Sequence, residues 1–189
     1  MTMKQRIHRV RRKTRETQIE LSLNADGTGK CTFESEGIQM AAHMVNTLAR
    51  YASFDIAVRA KGDMEHHTSE DVAICLGVAL RKCIDERPVR RMGYATVPMD
   101  DALVQVAVDL SGRSFFSADE LAQPFEHFLS SLASNAAINL HVVVMRGKDE
   151  HHVVEATFKA LGLSLRQAVQ AREDEVSAKG SVVMEVDGT

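Results

Sequence analysis

At 189 residues the chain is long enough to bury a real core, as one domain or as two small halves. Hydrophobic residues make up 44% and charged residues 26%, and a formal net charge of -3 gives no global pull toward nucleic acid or a membrane surface. No apolar run approaches the roughly 18 residues of a membrane span, the basic start lacks the apolar stretch of a secretory signal, and three cysteines (Cys31, Cys75, Cys83) with no Cys-x-x-Cys pair fit a reduced cytoplasmic setting.

Residues 4–15 gather Lys4, Arg6, Arg9, Arg11, Arg12, Lys13 and Arg15. No aromatic is interleaved to stack on a base. The cluster therefore reads as an edge strand whose charges discourage edge-to-edge pairing, rather than a nucleic-acid arm. Residues 14–21 alternate as a half-buried strand, 24–27 supply turn residues, and 30–35 read as the returning strand of a hairpin. From Gly37 the spacing turns helical, with Met40, Ala41, Met44, Leu48 and Ala52 on one stripe. His43 lies inside this helix, where a lone histidine is more often a packed core residue than a ligand. Phe54, Ile56, Val58 and Ala60 alternate as a strand, and the next helix carries Val72, Leu76, Ala79, Leu80 and Cys83 on its buried face. Pro88 closes the first half.

The second half repeats the plan. Val104, Val106, Val108 and Leu110 form a strand, followed by a turn at Ser111-Gly112-Arg113. Ser117 and Glu120 could make a capping box, but Pro124 suits a first helical turn better, so a helix is expected from there to about Ser134. Ile138, Leu140, Val142 and Val144 form the buried face of a strand, leaving Asn139 and His141 on the other. The last helix is expected to reach about Arg172, with a short strand after Ser177-Ala178-Lys179-Gly180.

One stretch occurs twice. Glu65-His66-His67-Thr68-Ser69-Glu70, running on to Leu76-Gly77 and Leu80-Arg81, returns 85 positions later as Glu150-His151-His152-Val153-Val154-Glu155, running on to Leu161-Gly162 and Leu165-Arg166. Two in-register copies indicate internal duplication. In a helix, His66 shares a face with Glu70, and His151 with Glu155. Adjacent histidines point about 100° apart, so one ion does not easily take both members of a pair. Two such pairs can instead serve two ions with mixed nitrogen and oxygen ligands, and the block reads as a duplicated metal site. The expected fold is α+β: two units, residues 1–95 and 96–189, each an antiparallel sheet covered by a helix pair.

These residues resemble the imidazoleglycerol-phosphate dehydratase family of histidine biosynthesis. The likeness is carried by Arg12-Lys13-Thr14-Arg15-Glu16-Thr17, His43-Met44, the first histidine block, Arg91-Met92-Gly93, Pro98-Met99-Asp100 and Asp109-Leu110-Ser111-Gly112-Arg113. Leu140-His141, residues 151–159 and Ser177-Ala178-Lys179-Gly180 complete it. The resemblance implies a tandem repeat of a half-domain like ribosomal protein S5 domain 2, in a 24-subunit homo-oligomer with sites between subunits. It implies dehydration of imidazole glycerol phosphate, a small phosphorylated imidazole, to imidazole acetol phosphate, using two manganese ions per subunit. The implied metal ligands are His43, His66, His67, Glu70, His141, His151, His152 and Glu155. The implied substrate contacts are Glu16, with Arg91, Arg113, Ser177 and Lys179 on the phosphate side. Glu16, Glu70 and Glu155 are the carboxylates available for proton transfer.

The first block departs from the family pattern. The run from Gly62 to His66 is about three residues short, with Glu65 in place of a pair of aspartates, and Ala42, Thr47, Asp149 and Ala178 replace polar partners. The spacing from His66 to Glu70 is untouched, so metal ligation is expected to survive with fewer contacts to substrate. Two alternatives stand beside the dehydratase: a family member acting on a related small phosphate, and a catalytically reduced metal-binding homo-oligomer.

Overall fold

The computed structural model describes residues 4–119 and 121–173. The element order is β1 (Ile7–Lys13), β2 (Thr17–Asn24), β3 (Cys31–Glu34), α1 (Gln39–Ala52), β4 (Asp55–Gly62) and α2 (Glu65–Asp85). It then repeats as β5 (Met92–Met99), β6 (Ala102–Asp109), β7 (Phe115–Ala118), α3 (Gln123–Ala136), β8 (Asn139–Arg146) and α4 (Glu150–Ala168). Each half forms a four-stranded sheet, in the orders β1-β2-β4-β3 and β5-β6-β8-β7. The tandem α+β duplication is therefore present, and β5 spans the expected division at 95–96 while belonging wholly to the second sheet.

Two strand assignments change. The expected hairpin of β2 with residues 30–35 does not form, because β2 is already paired by β1 on one edge and β4 on the other. β3 instead runs parallel to β4, as β7 does to β8, so both sheets are mixed rather than purely antiparallel. The Asp55 carboxylate guides this crossing by accepting from the Thr28 and Lys30 backbone N–H groups, at 2.8 and 3.0 Å. The basic β1 is an edge strand, as its charges suggest. Ser117 lies in β7 and caps no helix, and α4 stops at Ala168, four residues short of expectation.

The four helices lie between the two sheets and pair across the halves, α2 with α3 and α1 with α4. The duplicated Leu-Gly dipeptides explain this pairing. A Cβ on Gly77 would sit 2.6 Å from the Leu132 carbonyl oxygen of α3, and one on Gly162 would sit 2.6 Å from the Tyr51 Cβ of α1. Both contacts are closer than a side chain tolerates. The missing side chain thus lets each crossing close, burying Leu76, Leu132, Leu48 and Leu161 in one continuous core. The Gly77→Ala protein is expected to lose about 1–3 kcal/mol through forced separation of α2 and α3. An unchanged melting temperature would show that the crossing has slack.

Candidate metal and substrate site

The first helical turns of α2 and α4 display the histidine blocks. Asp149 caps α4, its carboxylate accepting from the His151 and His152 backbone N–H groups at 2.8 and 3.4 Å, which fixes that block at the turn's start. The cross-packed helices then supply a third residue to each pair. His43 of α1 stacks on His151, rings 6.2 Å apart and 7° from parallel. The His151 Nε2 lies 3.3 Å from Glu155 Oε2 and His43 Nε2 lies 3.9 Å from it. On the other side His66 Nε2 is 3.9 Å from Glu70 Oε2, with the His127 ring of α3 5.4 Å from the His66 ring. In each group two imidazoles and one carboxylate place their ligand atoms within 4.8 Å of one another. That donor set suits a borderline divalent transition metal.

The second member of each histidine pair turns elsewhere. His67 Nδ1 is 3.0 Å from Asp63 and 3.8 Å from Glu16, a third group of potential ligands. His152 sits 2.7 Å from Asp101 and 3.3 Å from Asp100. The hydrogen bond to Asp63 raises the His67 pKa, and the one to Asp101 raises that of His152. Asp101 falls to about 2 under the His152 hydrogen bond and two backbone N–H bonds. Glu155 is held below its ordinary value, first by its hydrogen bond with Lys159, whose Nζ lies 2.9 Å away. Burial pushes all three cysteine thiols up to about 11, which leaves them without thiolate chemistry.

A sequence model described as imidazoleglycerol-phosphate dehydratase matches residues 36–165. Among named relatives, the imidazoleglycerol-phosphate dehydratase of Methanocaldococcus jannaschii is 44% identical over 94% of this chain and 96% of its own. That of Clostridium botulinum strain Hall is 42% identical over 99% and 100%. The crystal structure of IGPD from Pyrococcus furiosus superposes with a TM-score of 0.83 at 35% identity, covering 92% of this chain and 100% of that one. The chain belongs to the imidazoleglycerol-phosphate dehydratase family. Its members are hydro-lyases.

Three histidines differ from the set expected from the sequence. His127, absent from it, joins His66 and Glu70. His141 and His152, included in it, join none of the three groups found among the described residues: His141 projects from the outer face of β8 against Phe115, and His152 lies against Asp100 and Asp101. His43 is not a packed core residue either: its side chain is half exposed, and the buried stripe of α1 runs through Ala41, Met44, Val45, Leu48, Ala49 and Ala52, leaving Met40 outside.

The phosphate-side residues lie apart from the histidines. Arg91 forks onto Asp109, Nε to Oδ1 at 2.6 Å and Nη2 to Oδ2 at 2.9 Å, a hydrogen bond that raises its already high pKa. Arg91 and Arg113 flank the Met92 and Asp109 end of the second sheet, while Asp101, His152 and the start of α3 lie at the Met99 and Arg146 end. Seven strand steps separate those ends, about 23 Å at roughly 3.3 Å per residue. Ser177 and Lys179 lie outside the described residues. Around His66, Glu70 and His127 the walls are mostly apolar, formed by Met40, Met64, Pro124, Phe125 and Phe128, with Glu65 and Ser69 beside them.

Proposed function

We propose that this chain dehydrates imidazole glycerol phosphate to imidazole acetol phosphate in histidine biosynthesis, as a metal-dependent enzyme of the cytoplasm. The observation that carries the reading is the pair of matched groups, His43 with His151 and Glu155, and His66 with Glu70 and His127, at corresponding places in the two halves. Two divalent ions, manganese first among them, would be held there, supplying Lewis-acid stabilisation of charge that develops on an imidazole ring. Each group offers three protein ligands, which leaves positions for substrate and for ligands from another copy of the chain.

The chain's own residues divide the remaining work. The reaction takes a proton from a weakly acidic carbon and expels a hydroxyl. Glu155, tied to Lys159 and kept ionised, suits a fixed ligand. Glu16 is more than half exposed, with His67 at 3.8 Å, and is the carboxylate best able to move a proton at a bound substrate. Arg113 suits a phosphate by charge and fork geometry, and Arg91 by charge, its Nε–Nη2 fork being engaged by Asp109. Their distance of about 23 Å from the histidine end exceeds the reach of one small substrate. This supports a homo-oligomer, proposed as 24 subunits on the family resemblance alone, in which one copy's arginines and spare His67, His141 or His152 complete a neighbour's site.

The deciding assay is turnover of imidazole glycerol phosphate by purified protein loaded with manganese. Turnover should vanish on chelation and return with the ion. The Michaelis constant should exceed that of relatives with the longer first block, by about tenfold for each 1.4 kcal/mol of binding energy that the shorter block forgoes. Absence of turnover at saturating substrate and metal would replace this reading with the related-phosphate or metal-binding alternative.

A further inference from the structure

The internal duplication gives residues of β1, β2 and α2 counterparts in β5, β6 and α4 that serve as controls. Asp71 of α2 is 7% exposed, and it accepts from Arg12 Nε at 2.7 Å and from the Thr17 hydroxyl. Positions 85 residues further on hold Val97 for Arg12, Ala102 for Thr17 and Ala156 for Asp71, all buried. The correspondence is spatial as well. Gly62 abuts Thr17 and Thr68, and Gly147 abuts Ala102 and Val153, each 85 residues on. The second half therefore makes the same sheet-to-helix junction from aliphatic side chains alone. Asp71 is buried but the Arg12 side chain is 40% exposed, and an ion pair open to water on one side contributes little that apolar residues of similar volume could not match. Folding by itself gives no reason for the polar version.

What differs between the halves is the carboxylate beside the second histidine. In the second half it is Asp101, whose side chain is pinned directly by the Lys148 and Asp149 backbone N–H groups at 2.6 and 3.3 Å. Its counterpart Glu16 has a longer side chain, and among the described residues no backbone N–H holds its carboxylate. Its backbone is held instead. The Thr14 hydroxyl accepts from the Glu16 and Thr17 N–H groups at 3.1 and 2.9 Å. The Thr14 and Thr17 hydroxyl oxygens are 3.1 Å apart, and the Glu16 carbonyl accepts from Asp63 N–H at 3.1 Å. Thr17 is thus shared between the turn that carries Glu16 and the buried Asp71.

We propose that Asp71, clamped by Arg12 and Thr17, is a positioning residue that holds the Glu16 turn against the histidine block. It touches no reacting group, and it rests on the reading of Glu16 as a proton-transfer residue. The test copies the second half into the first: Arg12→Val, Thr17→Ala and Asp71→Ala together. This variant should keep its melting temperature and its metal content. Its kcat should fall about 10–100-fold with little change in KM, the size expected from misplacing a reacting group by about an ångström. In a Glu16→Gln background the same three changes should cost nothing further. Amide exchange over residues 14–17 should speed up about tenfold or more while α2 stays protected.

The exchange measurement needs no turnover, so it decides the positioning claim even if imidazole glycerol phosphate is not the substrate. Unchanged exchange at 14–17 overturns the inference, as does a kcat loss that adds in full to that of Glu16→Gln. Should the triple variant not fold, Asp71→Asn, which keeps the volume and removes the charge, is read by the same two measurements.

Discussion

The His66→Ala/His151→Ala protein is expected to lose tight metal binding at both groups and, with it, turnover. Each change removes one of two imidazoles from a group that has a single carboxylate besides. Several kcal/mol of charge stabilisation then disappears, which corresponds to about a thousandfold or more in rate. The fold should not suffer, because both side chains are about half exposed, at 53% and 44%, and stand in first helical turns. Elemental analysis after loading with manganese or zinc should find about two ions per wild-type chain, and the single variants should each forfeit one. Wild-type protein that retains no ion, or a double variant that still holds two, would remove the metal premise. Sizing the metal-free protein by light scattering belongs in the same experiment, since ions that bind only an assembled form stabilise it by mass action.

Much of this fold can be read from residue patterns where one face is buried. β4 and β6 announce themselves by strict alternation, and α2 by Val72, Leu76, Ala79, Leu80 and Cys83, all of which are buried. β5 escaped because Gly93 and Pro98 interrupt its alternation. The proline is tolerated there because β5 is an edge strand with no neighbour on one side. The β2–β3 hairpin failed for a different reason. A turn sequence says where the chain reverses, but not whether a later strand inserts between the two arms. His127 was hidden by arithmetic. The copies lie 85 residues apart at the histidine blocks, yet α1 and α3 are related by 84, so the counterpart of His43 at 85 is Phe128, a core residue. Only the paired helices bring His127 beside His66. His141 was named by its motif, and the outward-facing register of β8 then carried it away from both groups.

A second large effect is expected at the seam between the halves, in the Asp26→Ala protein. Arg6 forks onto Asp26, Nε to Oδ2 at 3.0 Å and Nη2 to Oδ1 at 2.6 Å, while its backbone N–H reaches Oδ2 at 2.9 Å. Arg87 adds a contact of 2.5 Å, and Arg6 Nη2 also donates to the Val169 carbonyl at 3.0 Å. One carboxylate thus ties the start of the chain, the turn before β3, the link between halves and the end of α4. Without it two arginines lie close together in largely buried surroundings, the Arg6 side chain being only 3% exposed. Breaking a buried pair from one side costs about 3–5 kcal/mol, and the lower end applies because Asp26 keeps part of its surface in water. For a chain of this size that is a fall of about 6–12 °C in melting temperature. Acid should reproduce the loss in the wild type. Burial lifts the Asp26 carboxyl, but the Arg6 hydrogen bonds and the Arg6 and Arg87 charges outweigh it and leave its pKa below the ordinary value. A group depressed in the folded state stabilises fully above its unfolded value, about 3.9, and loses that contribution as pH falls through the folded one. Melting curves should therefore separate wild type from Asp26→Ala at pH 7 and converge below about pH 4. Curves that coincide at pH 7 within about 2 °C would mean that Arg6 and Arg87 find other partners and that the seam is held by packing alone.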